Sequence, residues 1–227
     1  MNETKSSDKV IEYIETMILA GKLKVDSRLP AERDLALSLN VSRTAVREGI
    51  RLLEVMGIVE SHQGSGNYIA KHFDHTLEQV LTIMYALDEM SYEQIREFRD
   101  AVERQALVLA VKKADDQGKQ DLQRYLDGLL HGETEEEQTE SDRMLHLCIV
   151  RMSENRLVIA NYLALNRIID RFIRDVRKQI RDEGESEFEK FQDVHKQLVD
   201  AIISGDLEKG KTALDKHFSY ITRGFDT

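Results

Sequence analysis

Four side chains in the later part of this 227-residue sequence have the types and spacing to hold a metal ion: Asp142, His146, His195 and His217. Asp142 and His146 stand four apart in a stretch of helical periodicity, which sets them one above the other on a single helix face. His195 and His217 fall on two predicted helices that Ser204-Gly205-Asp206 divides into an antiparallel hairpin. Counting outward from that turn, His195 lies ten residues before Gly205 and His217 eleven after Asp206. Equal rise along the two helices therefore brings both imidazoles to the same level. If the helix bearing Asp142 packs on the hairpin, three nitrogens and one carboxylate converge. Such a set suits Zn²⁺, Ni²⁺, Mn²⁺ or Fe²⁺, with Zn²⁺ favoured, and a five- or six-coordinate ion would keep positions open for a small carboxylate. A single buried histidine more often only hydrogen-bonds; the matched levels are what favour a ligand set here.

A second set of residues has the chemistry of nucleic-acid recognition. Arg43, Arg47 and Arg51 recur at i, i+4 and i+8, a cationic ridge on one helix face. Alone, such a ridge is usually just solvated. Its setting changes the reading. Val10, Ile11, Ile14, Met17 and Ile18 form the apolar stripe of a helix that stops near Gly21. Pro30 suits the first position of a short helix ending near Leu39, because its missing N–H would have no partner there. Asn40 suits a left-handed turn, and Ser42 can cap a further helix from Arg43 to about Met56. Ile58–His62 and Asn67–Ala70, rich in β-formers, flank Gln63-Gly64-Ser65-Gly66 as a small hairpin. Helix, tight turn, helix and hairpin make a winged helix-turn-helix. Arg43, Thr44 and Arg47 would enter the major groove, and Gly64 and Gly66 would let the wing lie close to the DNA backbone.

The elements that must position the four ligand-type residues are helical. With one proline in the chain and apolar residues recurring at three and four, helices are expected at about 77–88, 91–114, 116–130, 137–153, 155–182, 187–204 and 206–223. The fold class is thus mainly α: a winged helix-turn-helix over residues 1–70, a linker over 71–76 and an all-α bundle over 77–227. The acidic run Glu133–Glu137 should face solvent. His62, His72, His75 and His131 have no ligand partners and read as wing, linker and surface residues.

Charge divides unevenly between these parts. The chain carries 32 basic and 42 acidic side chains, net −10, which taken whole speaks against nucleic acid. Residues 1–70 nevertheless sit at −1 and residues 71–227 at −9. No apolar run approaches the roughly 18–20 residues of a membrane helix, and the polar start, Met1–Asp8, does not resemble a secretory signal. The lone Cys148, in an apolar run, reads as an inert core residue and points to a reducing, cytoplasmic setting.

Leu29-Pro30-Ala31-Glu32-Arg33-Asp34-Leu35-Ala36, Val41-Ser42-Arg43-Thr44-Ala45-Val46-Arg47-Glu48, Gly57-Ile58-Val59 and Gly64-Ser65-Gly66 resemble the GntR family of bacterial transcription regulators over residues 8–70. The resemblance implies DNA contacts at Arg33, Arg43, Thr44 and Arg47, with Gln63 and Gly64 at the wing. Ala45 departs from it, standing where the family's FadR member has a hydroxyl residue. Residues 77–227, through Glu97-Phe98-Arg99 and Val102-Glu103, are similar to the FCD ligand-binding domain of the FadR subgroup. Asp142, His146, His195 and His217 match the four ligands of its metal-binding members, which implies a small organic acid as effector. Arg99, in the family's arginine position, is implied as a second anchor for that acid; a surface ion pair with Glu103 at i+4 is the equally weighted alternative.

The expectation is a ligand-responsive transcription regulator, a repressor, acting as a homodimer on double-stranded operator DNA, since one reading helix covers few base pairs and paired half-sites multiply specificity. Two rivals stand beside it. One is a metal-dependent hydrolase with an appended DNA-binding domain, for which no additional general base is visible; the other is a regulator whose metal is purely structural.

Overall fold

The computed structural model describes residues 5–71, 74–88 and 90–223. The chain forms two compact units, Met1–Gln79 and Val80–Thr227. No helix among the described residues is long and apolar enough to cross a membrane.

In the first unit, α1 (Ser6–Leu19), α2 (Glu32–Leu39) and α3 (Arg43–Val55) enclose a core of Val10, Ile14, Leu35, Val46, Ile50 and Leu53. The turn chemistry acts as the sequence predicts. Asn40 closes α2 in the left-handed conformation, φ 51°, and the Ser42 hydroxyl accepts from the Ala45 N–H at 3.1 Å. The wing is an antiparallel pair, β1 (Val59–His62) and β2 (Gly66–Ile69), in register Val59 with Ile69 and His62 with Gly66.

Pro30 is not at the first helical position. The helix begins at Glu32 with Ala31 as its N-cap, because the preceding segment is held extended against the wing: the Leu29 N–H donates to Asn67 O at 2.8 Å and the Ile69 N–H to Ser27 O at 2.9 Å. Residues 26–29 thereby run along β2. They lay Arg28 so close to Gly66 that a Cβ there would stand 3.3 Å from its Nε, and Gly66 also needs φ 114°.

Helix α4 spans Asp74–Leu87, starting three residues before the expected 77. His72 and Phe73 of the expected linker, and the side chain of His75, lie outside the described residues. The second unit continues with α5 (Tyr92–Lys113), α6 (Asp116–His131), α7 (Glu135–Met152), α8 (Arg156–Ala164), α9 (Asn166–Asp182), α10 (Glu185–Ser204) and α11 (Leu207–Arg223). Helices α5, α6, α7, α9, α10 and α11 pack about one core that includes Leu107, Leu129, Leu145, Phe172, Phe191, Leu198 and Phe218. The single helix expected over 155–182 is two. They break at Leu165, with neither glycine nor proline to mark the place. Both halves pack on α5 and α7, and α9 packs in addition on α10. Cys148 is half-buried, and burial pushes its thiol up to about 11, as suits an inert packing residue.

Gly49 sets how closely α1 and α3 approach. A Cβ on it would lie 2.8 Å from the Val10 Cβ and 3.0 Å from the Ser7 carbonyl oxygen. Helix propensity favours alanine there by about 1 kcal/mol, but overpacking between two helices costs about 1–3 kcal/mol. Gly49→Ala is therefore expected to destabilise the protein, by up to about 2 kcal/mol, read as a lowered denaturation midpoint at unchanged m-value. A variant as stable as the parent would show that the two helices separate freely.

Candidate metal centre and nucleic-acid interface

The hairpin of α10 and α11 and the facing helix α7 bring the four ligand-type residues together. Asp142, His146, His195 and His217 are each at most 2% exposed. The ring centroids of His195 and His217 are 4.7 Å apart, those of His146 and His217 also 4.7 Å, and those of His146 and His195 5.5 Å. One ligand nitrogen from each of the three lies within 4.8 Å of the others. Asp142 Oδ1 stands 3.4 Å from His146 Nε2 and 3.7 Å from His195 Nε2.

These donors do not satisfy one another. His146 Nε2, His195 Nε2 and both His217 nitrogens are buried without a hydrogen-bond partner, an arrangement that ordinarily costs about 1–3 kcal/mol per group. Donors at about 2.0–2.2 Å around one ion stand roughly 3–3.6 Å from each other, from octahedral to tetrahedral geometry, and the 3.4 and 3.7 Å from Asp142 Oδ1 to the two Nε2 atoms are close to that spacing, so the chemistry of the donor set fits a first-row divalent metal.

Neighbouring groups prepare the nitrogens for that task. His146 Nδ1 meets Glu103 Oε2 at 2.7 Å, and His195 Nδ1 meets the Phe191 carbonyl at 3.0 Å. Each contact accepts an Nδ1–H and leaves the Nε2 lone pair facing inward. Burial, reinforced by the adjacent His195 and His146, holds His217 well below the usual histidine range, so it is neutral as a ligand must be. Burial alone would raise the carboxyl of Glu103; the Arg99 guanidinium and His146 overcome that and hold it at about 2. Asp142 is likewise kept ionised against its burial, by His195, His146 and Arg177.

Arg99 is not on the surface. It is 1% exposed, donates from Nε to Glu103 Oε1 at 2.9 Å and packs against Phe172 and Phe218, while its Nη2 has no partner. The ion pair weighed against an effector role thus exists, but as a buried pair. Two site residues escaped the sequence reading. Glu103 is placed by the sequence in the FCD-like pattern and as a partner of Arg99, with nothing to signal its contact with His146. Arg177, fully buried, donates to Asp142 Oδ2 at 3.1 Å, to Gln138 Oε1 at 3.1 Å and to Glu135 Oε1 at 3.0 Å. Its position beside Ile173 and Val176, on the apolar stripe of α9, was a usable signal. Glu135 is exposed with the rest of its acidic run, yet it also takes Arg181 and so anchors the start of α7.

In the first unit, Arg43, Thr44, Arg47 and Arg51 are exposed along α3, and Gln63 and Gly64 at the turn of the wing. Arg28, Arg33 and Arg43 line a cleft of about 410 Å³ with Gly66 and Asn67 of the wing. Arg28, missed in the sequence, owes this place to the extended segment before α2. Ala45, the departure from the family pattern, is buried, so it takes no surface from the face that bears Thr44 and Arg47. The ridge is not free cation: Arg47 Nε donates to Glu32 Oε2 at 2.7 Å, and Arg43 Nη2 lies 3.8 Å from the same oxygen. His62 sits on the wing and His131 at the exposed end of α6, as expected.

Residues 6–69 match the bacterial regulatory proteins of the gntR family, and residues 94–220, more than half the chain, match the FCD domain. The chain belongs to the gntR family, in its FCD-bearing branch. This gntR-family regulator is 26% identical over 220 residues to an Escherichia coli (strain K12) protein provisionally named as an L-lactate dehydrogenase operon regulatory protein, covering 95% of this chain and 84% of that one. It is also 26% identical over 209 residues to the HTH-type transcriptional regulator LutR of Bacillus subtilis (strain 168), covering 90% and 94%. The solved structure of Streptococcus agalactiae GntR superposes with a TM-score of 0.69 at 20% identity over 96% of this chain and 99% of that one, which is a likeness of fold. Family and fold are those of transcription regulators, not of enzymes. The hydrolase alternative is thereby set aside.

Glu32 screens two arginines of the recognition helix in the absence of DNA. Glu32→Gln is expected to tighten binding to a random-sequence duplex and to steepen its salt dependence, by up to about 0.9 in the log–log slope for each further phosphate that is neutralised. Fluorescence anisotropy across a salt series measures both; an unchanged slope would mean the pair opens at no cost when DNA arrives.

Proposed function

We propose that this regulator is a repressor whose hold on operator DNA is set by a small carboxylic acid bound at a divalent metal, Zn²⁺ first among Zn²⁺, Ni²⁺, Mn²⁺ and Fe²⁺, in the helical unit. The observation that carries this reading is the set of unpartnered, buried histidine nitrogens within 4.8 Å of one another beside Asp142 Oδ1. Asp142, His146, His195 and His217 would hold the ion. When bound, it would supply a positive charge and open coordination positions for a carboxylate or hydroxyl oxygen. The unpaired Nη2 of Arg99 supports that residue as a second anchor for an anion. L-lactate, the acid in the name of the Escherichia coli relative, is the first compound to try.

In this reading residues 1–70 bind DNA, with Arg33, Arg43, Thr44 and Arg47 on the helix-turn-helix and Gln63 and Gly64 at the wing. Residues 77–227 bind effector and form a homodimer, 71–76 join the two, and the protein works in the cytoplasm. Paired copies match a two-fold operator and multiply the few base pairs one recognition helix can read. Where the metal is purely structural, its removal lowers thermal stability while no acid alters operator binding.

Metal analysis and native mass spectrometry of the purified protein test the centre directly: one ion per chain is expected, with a retained acid naming the effector class. His195→Ala should lose the stoichiometric metal and the response to acid while operator binding persists; full metal occupancy in that variant removes His195 from the site. Arg47→Ala should cost about 1–3 kcal/mol of operator affinity and relax base preference, measured by binding to single-base operator variants. Undiminished, equally selective binding would take Arg47 out of the interface.

A further inference from the structure

The three histidines differ in what stands behind them. His217 has no hydrogen-bond partner on either nitrogen, and His195 leans on a neutral backbone carbonyl. His146 alone is backed by a carboxylate, and that carboxylate is itself fixed from several sides. Glu103, 1% exposed, receives His146 Nδ1 on Oε2 at 2.7 Å, and Arg99 Nε at 2.9 Å and the Tyr162 hydroxyl at 3.3 Å on Oε1. Three donors from α5, α7 and α8 leave the group one orientation.

We infer that Glu103 is a positioning residue of the proposed metal centre: it locks His146 with its proton on Nδ1, turns Nε2 toward the space it shares with Asp142 Oδ1, and raises the ring's strength as a ligand. The inference rests on the metal reading of the tetrad. Its chemistry follows from the contact. With the proton on Nε2, the Nδ1 lone pair would face a carboxylate oxygen at 2.7 Å, two acceptors with no hydrogen between them. That neutral tautomer is disfavoured in the buried site, so Nδ1 keeps its proton on Glu103 and Nε2 is the nitrogen left to face an ion. A carboxylate behind an imidazole also pushes charge into the ring more strongly than a carbonyl does, which makes His146 the strongest nitrogen donor of the three. Arg99 enters through the same group. Because one oxygen of Glu103 takes Arg99 and the other takes His146, a pull on the guanidinium by an anion at its unpaired Nη2 is transmitted to the ligand ring through a single rigid carboxylate.

The test uses the full chain and Co²⁺, whose ligand-field absorption reports nitrogen ligation. The parent protein is expected to bind one Co²⁺ per chain. Glu103→Gln should weaken that binding by about 10- to 100-fold and shift the visible bands. A double-mutant cycle separates positioning from general support of the fold. In a His146→Ala background, Glu103→Gln should bring no further loss, because the ring it orients is gone. Since Glu103→Gln strands Arg99 as an unpaired buried charge and can prevent folding, the neutral pair Arg99→Gln/Glu103→Gln takes its place in the cycle where the single variant does not fold. Unchanged Co²⁺ affinity in Glu103→Gln, or an equal loss with and without His146, overturns the inference while leaving the metal reading intact. Failure of the parent to bind Co²⁺ overturns both.

Discussion

Carrying ionised groups into a helical core is costly unless each one finds an opposite charge and full hydrogen bonding, and the C-terminal unit is arranged around that constraint. Two chains of contacts meet it. Arg99, Glu103 and His146 form one; Arg181, Glu135, Arg177 and Asp142 form the other, running from the exposed start of α7 into the interior. Both end at the same place, where the satisfied outer atoms of His146 and His195 leave their inner nitrogens without partners beside Asp142 Oδ1. A core that satisfies the backs of its ligands and not their fronts is incomplete. In the proposed metal reading a cation would complete it, held by these nitrogens and Asp142 Oδ1.

The same attention to partners changes how net charge should be read. A total of −10 argues against DNA binding only if charge is spread evenly, and the first 70 residues stand at −1. Even that smaller figure hides the arrangement that matters. Glu32 sits where it screens Arg47 and Arg43, so one carboxylate offsets part of the positive charge of the ridge until something displaces it. A phosphate or a guanine edge must compete with Glu32 for the arginines. Contacts that only approximate the right geometry gain little from that exchange, whereas a bidentate contact to guanine gains more, and discrimination improves at the expense of overall affinity.

Features set by local chemistry were legible in the sequence. Asn40 and Ser42 specify the turn between α2 and α3, Gly64 and Gly66 specify the wing, and the distances of His195 and His217 from Gly205 specify their common level. What was not legible depended on partners far along the chain. Nothing near Leu165 announces the break between α8 and α9. Pro30 was misplaced because residues 26–29 pair with β2, a contact some forty residues away in sequence. Helical spacing pairs Glu103 with Arg99, correctly, yet its second oxygen belongs to a histidine 43 residues further on. Spacing finds one partner of a group, and a buried carboxylate has room for several.

The placement of the tetrad bears on how binding there could be felt elsewhere. Its side chains come from α7, α10 and α11, and the groups behind them from α5, α8 and α9, so six of the eight described helices after the wing converge on one cluster. A ligand that fills the cluster gains its free energy from all six at once, and any arrangement of those helices that separates the donors loses it. In the proposed reading the acid controls DNA binding only through the difference in its affinity for two such arrangements; a tenfold change in operator affinity requires about 1.4 kcal/mol of that difference. One buried hydrogen bond to a charged group, of the kind Arg99 Nη2 still lacks, is worth about 1.5–3 kcal/mol. A single contact made in one arrangement and missed in the other is therefore enough, and in the proposed reading the unpaired Nη2 of Arg99 would supply it.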